Sequence, residues 1–395
     1  MRASIQVGRV IGIPIQLHVT FLLIFPLIVL MFAQGPEPVG LGDVANLSRP
    51  FRYALALVAA FLFFLSLLLH ELSHSYVAMK YGTKIRNITL FIFGGLALME
   101  DLPREPEKEW RIAIAGPLMS FALGGTFLVA HFGISRGNLV RFEPLLIILF
   151  SIGLLNVILG TFNLIPAFPM DGGRVLRAFM AKRVQFLTAT RRAVFVGKAF
   201  ALVMGIMGFM PNPFILLTRG EISIPFNPWL SIIAVFLFIA ATEEESATIA
   251  VAALDGVTVR EVMRADNACV PADMPLPALR AKMIAEKTTD YAVIDGSGDY
   301  KGIISLTELK KHSGEPRELL RVADVLPSGD HASGAVIAQE ESAVEALKRM
   351  SGTSKKVLAV VDGESGKIMG IITKRDLAMV VEVLRGHNER VHALL

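Results

Sequence analysis

The chain has 395 residues, 53% hydrophobic and 19% charged, with a net charge of +4. Those proportions exclude an ordinary soluble enzyme and a disordered chain, and they place the larger part of the sequence in a bilayer. No basic recognition motif is present, so no nucleic-acid partner is expected, and the single cysteine, Cys269, excludes an intramolecular disulfide or a cysteine zinc cluster.

Apolar stretches of spanning length run over residues 13–33, 53–79, 112–134, 145–166, 193–217 and 222–241, and ordinary soluble composition follows. The expected fold is a polytopic α-helical membrane domain of about six transmembrane helices over residues 1–245, followed by a soluble α/β tail. The first stretch follows Arg2 and Arg9 but is too long for a secretory signal and lacks a small-residue cleavage site, so it reads as a retained helix. The last two are broken by Pro211, Pro213, Pro225 and Pro228, with Arg219 and Glu221 between them, which leaves a four-span or re-entrant arrangement open. Basic residues alternate between connections. Lys80, Lys84, Arg86, Arg104, Lys108 and Arg111 separate spans two and three, whereas only Arg136 and Arg141 separate three and four. The positive-inside rule then puts the N-terminus and the tail in the cytoplasm.

His70-Glu71-Leu72-Ser73-His74 lies near the end of the second stretch, directly after Tyr53 to Leu69, which holds no charged side chain. Ionisable groups at bilayer depth are costly unless paired or bound, so such a cluster is a functional site by default. Four residues of α-helix turn through about 400°, which puts His70 and His74 on one face with Glu71 beside them. This pattern chelates zinc and leaves a carboxylate to act as a base.

A catalytic zinc usually takes three protein ligands, so a third must come from elsewhere. The candidate is Asp171, in Asn163-Leu164-Ile165-Pro166-Ala167-Phe168-Pro169-Met170-Asp171-Gly172-Gly173-Arg174 at the end of span four. Pro166 and Pro169 break the helix and Gly172 and Gly173 permit unusual dihedrals, so irregular backbone stands where it should line a buried cavity. Spans two and four run in the same direction and carry the two motifs to similar depth. An ordinary Asp-Gly-Gly turn is the alternative.

HELSH followed by NLIPAFPMDGGR resembles the site-2 protease family of intramembrane zinc metalloproteases, matching its HExxH and NxxPxxPxDGG motifs in order and in span placement. The resemblance covers roughly residues 1–245. It implies that His70, His74 and Asp171 hold one zinc ion, that Glu71 is the general base, and that the substrates are transmembrane proteins cut within the lipid bilayer. It also implies a glycine-containing loop at Phe93-Gly94-Gly95-Leu96-Ala97, where Gly94 and Gly95 mark an extended segment that pairs with unwound substrate. Asn163 is a candidate for holding substrate backbone or an oxyanion, with a helix-capping or interhelical amide as the alternative. Asn156, His18 and His131 read as packing residues.

The tail contains an approximate repeat. Val259-Arg260-Glu261-Val262-Met263 corresponds to Val322-Ala323-Asp324-Val325-Leu326, Tyr291 to Gly296 to Leu358 to Gly363, and Gly302-Ile303-Ile304-Ser305 to Gly370-Ile371-Ile372-Thr373. Each copy reads as helix, β-rich run, turn, short strand and helix. The pair resembles tandem CBS domains, a first over residues 246–316 and a second over 317–395. That resemblance implies adenine nucleotide (ATP, ADP or AMP) bound between the copies, with Thr373 and Asp376 holding phosphate and ribose. The first copy departs from the pattern with Ser305 and Glu308. A pair that serves only as a homodimer interface is the alternative.

Two other function classes compete. A CBS-regulated transporter predicts internal symmetry among the spans, and none is found. A catalytically inert membrane-protein binder has no use for Glu71.

Overall fold

At Ile11 and Gly12 the backbone takes φ of +53° and +80°, and this reversal folds the start of the chain into a hairpin of β1 (Ser4–Val10) and β2 (Ile13–His18). The computed structural model describes residues 4–45, 47–91, 94–100, 103–136, 143–209, 228–265, 269–311, 320–326, 336–352 and 357–392. Contacts divide the chain into two units, Met1–Ser246 and Ala247–Leu395.

The hairpin corrects the expectation of one long helix over residues 13–33. Ile13 and Ile15 alternate with half-buried neighbours that include Gln16 and His18, a period-two pattern, and only Phe21–Gln34 (α1) is helical. Its 14 residues span about 21 Å, short of a hydrocarbon core of about 30 Å.

Helix α2 (Arg49–Lys80) starts with Pro50 in its first turn and runs for 32 residues without a helix breaker. The chain then returns through β3 (Lys84–Phe91) and β4 (Gly94–Glu100). The four strands form one sheet in the order β1-β2-β3-β4, with β2 and β3 parallel and the other pairs antiparallel. Ile13, Ile15 and Ile88 of the sheet pack with Leu72 of α2, which seats the sheet on the HELSH turn.

Helices α3 (Pro106–Ser135), α4 (Glu143–Asn163), α5 (Asp171–Ala181), α6 (Phe186–Met207) and α7 (Pro228–Ala253) complete the first unit. Phe32 and Ala33 of α1, Ala56, Ala59 and Ala60 of α2, and Ile148 and Ile152 of α4 share one core. Small alanines let α1 and α4 approach α2 closely, as membrane packing requires. Among the described residues α2, α3 and α4 are long and apolar enough to cross a bilayer. Residues 210–227, with Pro211, Pro213, Arg219, Glu221 and Pro225, lie outside the described residues.

The second unit repeats one plan. In the first copy α8 (Val259–Val262), β5 (Cys269–Pro271), α9 (Leu276–Glu286), β6 (Asp290–Ile294), β7 (Tyr300–Ser305) and α10 (Leu306–Lys311) follow in order. In the second, a 3-10 turn (Val322–Val325) precedes β8 (Val336–Ala338), α11 (Ala343–Gly352), β9 (Val357–Val361), β10 (Ile368–Thr373) and α12 (Lys374–His392). Each sheet has a parallel pair followed by an antiparallel one. The copies exchange their leading segments: Val259 and Val262 fill the core of Ile337, Met350, Leu358 and Ile372, while Val322 and Val325 fill that of Val270, Leu279, Tyr291 and Ile304. A cut at residue 316/317 therefore separates Val322 and Val325 from the core they complete.

Candidate metal centre

Residues 97 or more apart in sequence converge on one point. His70 and His74, one turn apart on α2, are 2% and 5% exposed. Their Nε2 atoms stand 3.2 Å apart, and Asp171 Oδ2 lies 3.3 Å from the first and 3.1 Å from the second. Asp171 opens α5, so the positive end of that helix favours its carboxylate. The chain reaches it by folding the Ile165–Met170 segment back on the helix start. A Cβ at position 172 would lie 2.3 Å from the Ile165 carbonyl oxygen, and one at 173 would lie 2.6 Å from Phe168 N. Both glycines are helical, so close approach rather than unusual dihedrals explains them, a correction to the sequence reading.

The far sides of the imidazoles are held by α3. His74 Nδ1 lies 2.7 Å from the carbonyl oxygen of Ile112, an acceptor only, so Nδ1 carries the proton and Nε2 presents a lone pair inward. His70 Nδ1 lies 2.9 Å from Ser120 Oγ. Between them stands Gly116, where a Cβ would come within 2.1 Å of His74 Nε2 and 2.6 Å of His70 Nε2. Ile112, Gly116 and Ser120, four apart along one helix face, escaped the sequence reading. Their signal was a small residue and a hydroxyl at helical spacing within an apolar span.

This donor set fits a metal ion. Two imidazole nitrogens and a carboxylate oxygen, each an ordinary zinc ligand, face one another around one point. Ligand atoms about 2.0 to 2.1 Å from a shared tetrahedral centre stand about 3.3 Å apart, which matches the observed 3.1 to 3.3 Å. His70, His74 and Asp171 form the only such group of three among the described residues.

Glu71 is half-buried on the neighbouring face of α2, against the sheet: a Cβ on Gly95 would lie 2.4 Å from Glu71 Cγ. The expected glycine loop is in fact strand β4, the outer strand of the sheet beyond β3, because Leu90 and Phe91 pair with Gly95 and Gly94. Phe93 lies outside the described residues. Asn163 is half-buried and its Nδ2 donates to the Leu159 carbonyl one turn back. Asn156 Nδ2 joins α4 to α2 through Ser66 Oγ at 3.1 Å.

In the tail, a cleft of about 270 Å³ is lined by Arg264, Lys287, Thr373, Lys374 and Arg375 among others. Asp376 stands beside it, 3% exposed, with both oxygens engaged. Oδ2 accepts from Thr373 N at 2.9 Å and Thr373 Oγ1 at 2.7 Å, which caps α12, and Oδ1 accepts from Arg264 Nε at 2.7 Å.

An HExxH turn on an apolar helix, joined to a carboxylate from a second helical segment, defines a membrane-embedded metallopeptidase. Comparison with known proteins agrees: residues 58–136 and 130–204 match Peptidase family M50, and residues 259–315 and 335–383 match the CBS domain. The zinc metalloprotease MJ0392 of Methanocaldococcus jannaschii is 32% identical over 386 residues, 97% of this chain and 98% of that one. Rip3 of Mycobacterium tuberculosis is 29% identical over 389 residues, covering 98% and 94%. A solved site-2 protease from Methanocaldococcus jannaschii shares 37% identity, with a TM-score of 0.40 over 61% of this chain and 95% of that one. The chain belongs to peptidase family M50, the site-2 proteases, and carries a tandem CBS pair. It is an integral membrane protein and an enzyme of the zinc metalloprotease class.

Proposed function

We propose that this protein hydrolyses peptide bonds within transmembrane segments of membrane-anchored substrates, using His70, His74 and Asp171 to hold one zinc ion and Glu71 as the general base. The observation that carries the reading is the convergence of two imidazole nitrogens and a carboxylate oxygen at tetrahedral-edge distances, with Glu71 alongside. When bound, zinc supplies Lewis acidity that polarises the scissile carbonyl and lowers the pKa of water toward about 7. Glu71 takes the proton from the attacking water and passes it to the leaving amine. Ile112 and Ser120 hold the imidazole rings in the orientation that binding needs.

A helix must open before its peptide bonds can be attacked, and an opened strand needs partners for its backbone. Strand β4 offers an edge next to Glu71, so Gly94 and Gly95 receive substrate by strand addition, with Asn163 available to bond its backbone. The membrane part, residues 1–245, is polytopic, with both the N-terminus and the CBS copies (246–316 and 317–395) cytoplasmic, on the strength of the basic connections. In the tail, adenine nucleotide occupies the basic cleft with Thr373 on its wall. Asp376 Oδ1 exchanges Arg264 for ribose hydroxyls and frees the guanidinium for phosphate. The pair also supports a homodimer.

The test is cleavage of a fluorogenic transmembrane peptide by purified protein in lipid nanodiscs. Glu71→Gln should retain about one zinc per chain and lose cleavage by at least about 100-fold. Full activity in that variant, or in wild type stripped of metal, defeats the protease reading. Gly95→Val should impair cleavage with zinc retained. Titration of the same preparation with ATP, ADP and AMP tests the tail, and absence of binding at millimolar concentration leaves the CBS pair as a dimer interface.

A further inference from the structure

A buried ion-pair cluster shares two helices with the metal centre. Arg177 of α5 is 6% exposed, and all three of its guanidinium nitrogens are engaged. Nε donates to Glu109 Oε1 at 2.7 Å, Nη2 lies 2.5 Å from the same oxygen, and Nη1 donates to Glu244 Oε1 at 2.8 Å. The rings of Phe168 and Phe186 lie 4.9 and 4.8 Å from the guanidinium carbon.

The placement of these partners matters more than their number. Glu109 stands in the first turn of α3, one turn before Ile112, whose carbonyl orients His74. Arg177 follows Asp171 on the same short helix by under two turns. Glu244 is on α7, and its neighbour Glu245 meets Lys198 of α6 at 2.8 Å. One guanidinium therefore ties the helix that orients a histidine to the helix that carries the carboxylate, and ties both to α7.

Stability alone is a weak account of this cluster. Buried ion pairs are often replaced by apolar groups of similar volume at no loss, and here Glu109 Oε2 has no hydrogen-bond partner among the described residues. What directional ion pairs do supply is fixed spacing, and a metal site tolerates displacements of only about 0.5 Å.

We propose that Arg177 is a positioning residue of the metal centre: through Glu109 and Glu244 it sets the spacing between the Ile112 end of α3 and the Asp171 end of α5, so that a displacement of α7 is felt at Asp171. The inference rests on the metal reading above. It also assigns a role to α7, which continues to Ala253, past the end of the first unit at Ser246.

The experiment uses full-length protein in nanodiscs and two variants, E244Q and the apolar triple variant E109L/R177M/E244L. Three readouts are the absorption spectrum of the Co(II)-loaded protein, the rate of zinc release to a chelator, and kcat and KM on the fluorogenic transmembrane peptide. E244Q keeps the Arg177–Glu109 pair, and should bind stoichiometric metal with shifted Co(II) bands, about tenfold faster zinc release and about tenfold lower kcat at unchanged KM. The folded triple variant should show the same changes, larger. A folded triple variant that matches wild type in all three readouts overturns the proposal. Should that variant fail to fold, unchanged readouts in E244Q overturn it instead. Failure of the underlying metal reading looks different, because wild type itself would then hold no stoichiometric zinc.

Discussion

The metal centre and the tail cleft both set a carboxylate among basic partners, and they treat it in opposite ways. Asp171 meets two imidazole nitrogens across 3.1 and 3.3 Å, the spacing of ligands around one metal ion. Asp376 is satisfied by its own chain, with Thr373 on one oxygen and Arg264 on the other. A site whose ligand groups converge on one point at metal-ligand spacing is built for an ion that completes it. A site whose groups are already paired gives up bonds to accept one, so its ligand works against an existing interaction and is suited to regulation more than to permanent residence.

The comparison is broken most severely at Asp171 or His70. Asp171→Ala and His70→Ala should each lose zinc and all measurable cleavage, read by metal analysis and peptide hydrolysis; retention of about one zinc per chain in either would show that the facing acceptors are not its ligands. Gly116→Ala comes next. Alanine improves intrinsic helix propensity by about 1 kcal/mol, yet its Cβ would stand 2.1 Å from His74 Nε2. The expected outcome is loss of zinc from a protein of undiminished helical content, measured by metal analysis beside circular dichroism. Ser120→Ala removes only the partner of His70 Nδ1 and should weaken zinc binding by about 10- to 100-fold in competition with a chelator.

The smallest effect belongs to the tail. Asp376→Ala removes the cap of α12 and leaves Arg264 without its buried acceptor, which should lower the stability of the second unit by about 1 to 3 kcal/mol, seen in thermal unfolding. Zinc content should not change. A nucleotide titration of this variant needs that stability loss measured first, because a weakened fold and a lost ribose contact both reduce binding.

Legibility in the sequence followed the strength of the local pattern. The HELSH turn was readable because helical periodicity alone brings His70 and His74 together, and Asp171 because proline and glycine mark an irregular segment at the end of an apolar run. The sheet that seats Glu71 was not readable, since in β2 the alternation of Ile13, Ile15 and Leu17 with Gln16 and His18 lasts only six residues before the apolar run of α1. Arg177 has no local signal in the sequence that sets it apart from other basic residues, although it is among the least exposed charges of the first unit. In the tail the repeat showed two copies, but the exchange of Val259 and Val322 between their cores leaves no trace in a repeat that is the same in both directions.

Composition and motif spacing, then, determined by themselves that this is a membrane-embedded HExxH protein with a duplicated soluble tail, because hydropathy, helical period and repetition are properties of neighbours along the chain. Tertiary structure alone decided that Ile112, Gly116 and Ser120 of α3 back the two histidines, that β4 runs beside the general base, and that Arg177 joins α3, α5 and α7. Each of those relations is a distance between segments far apart in sequence, set by which small residues let helices approach and which buried charges must find a partner, and no local pattern encodes it.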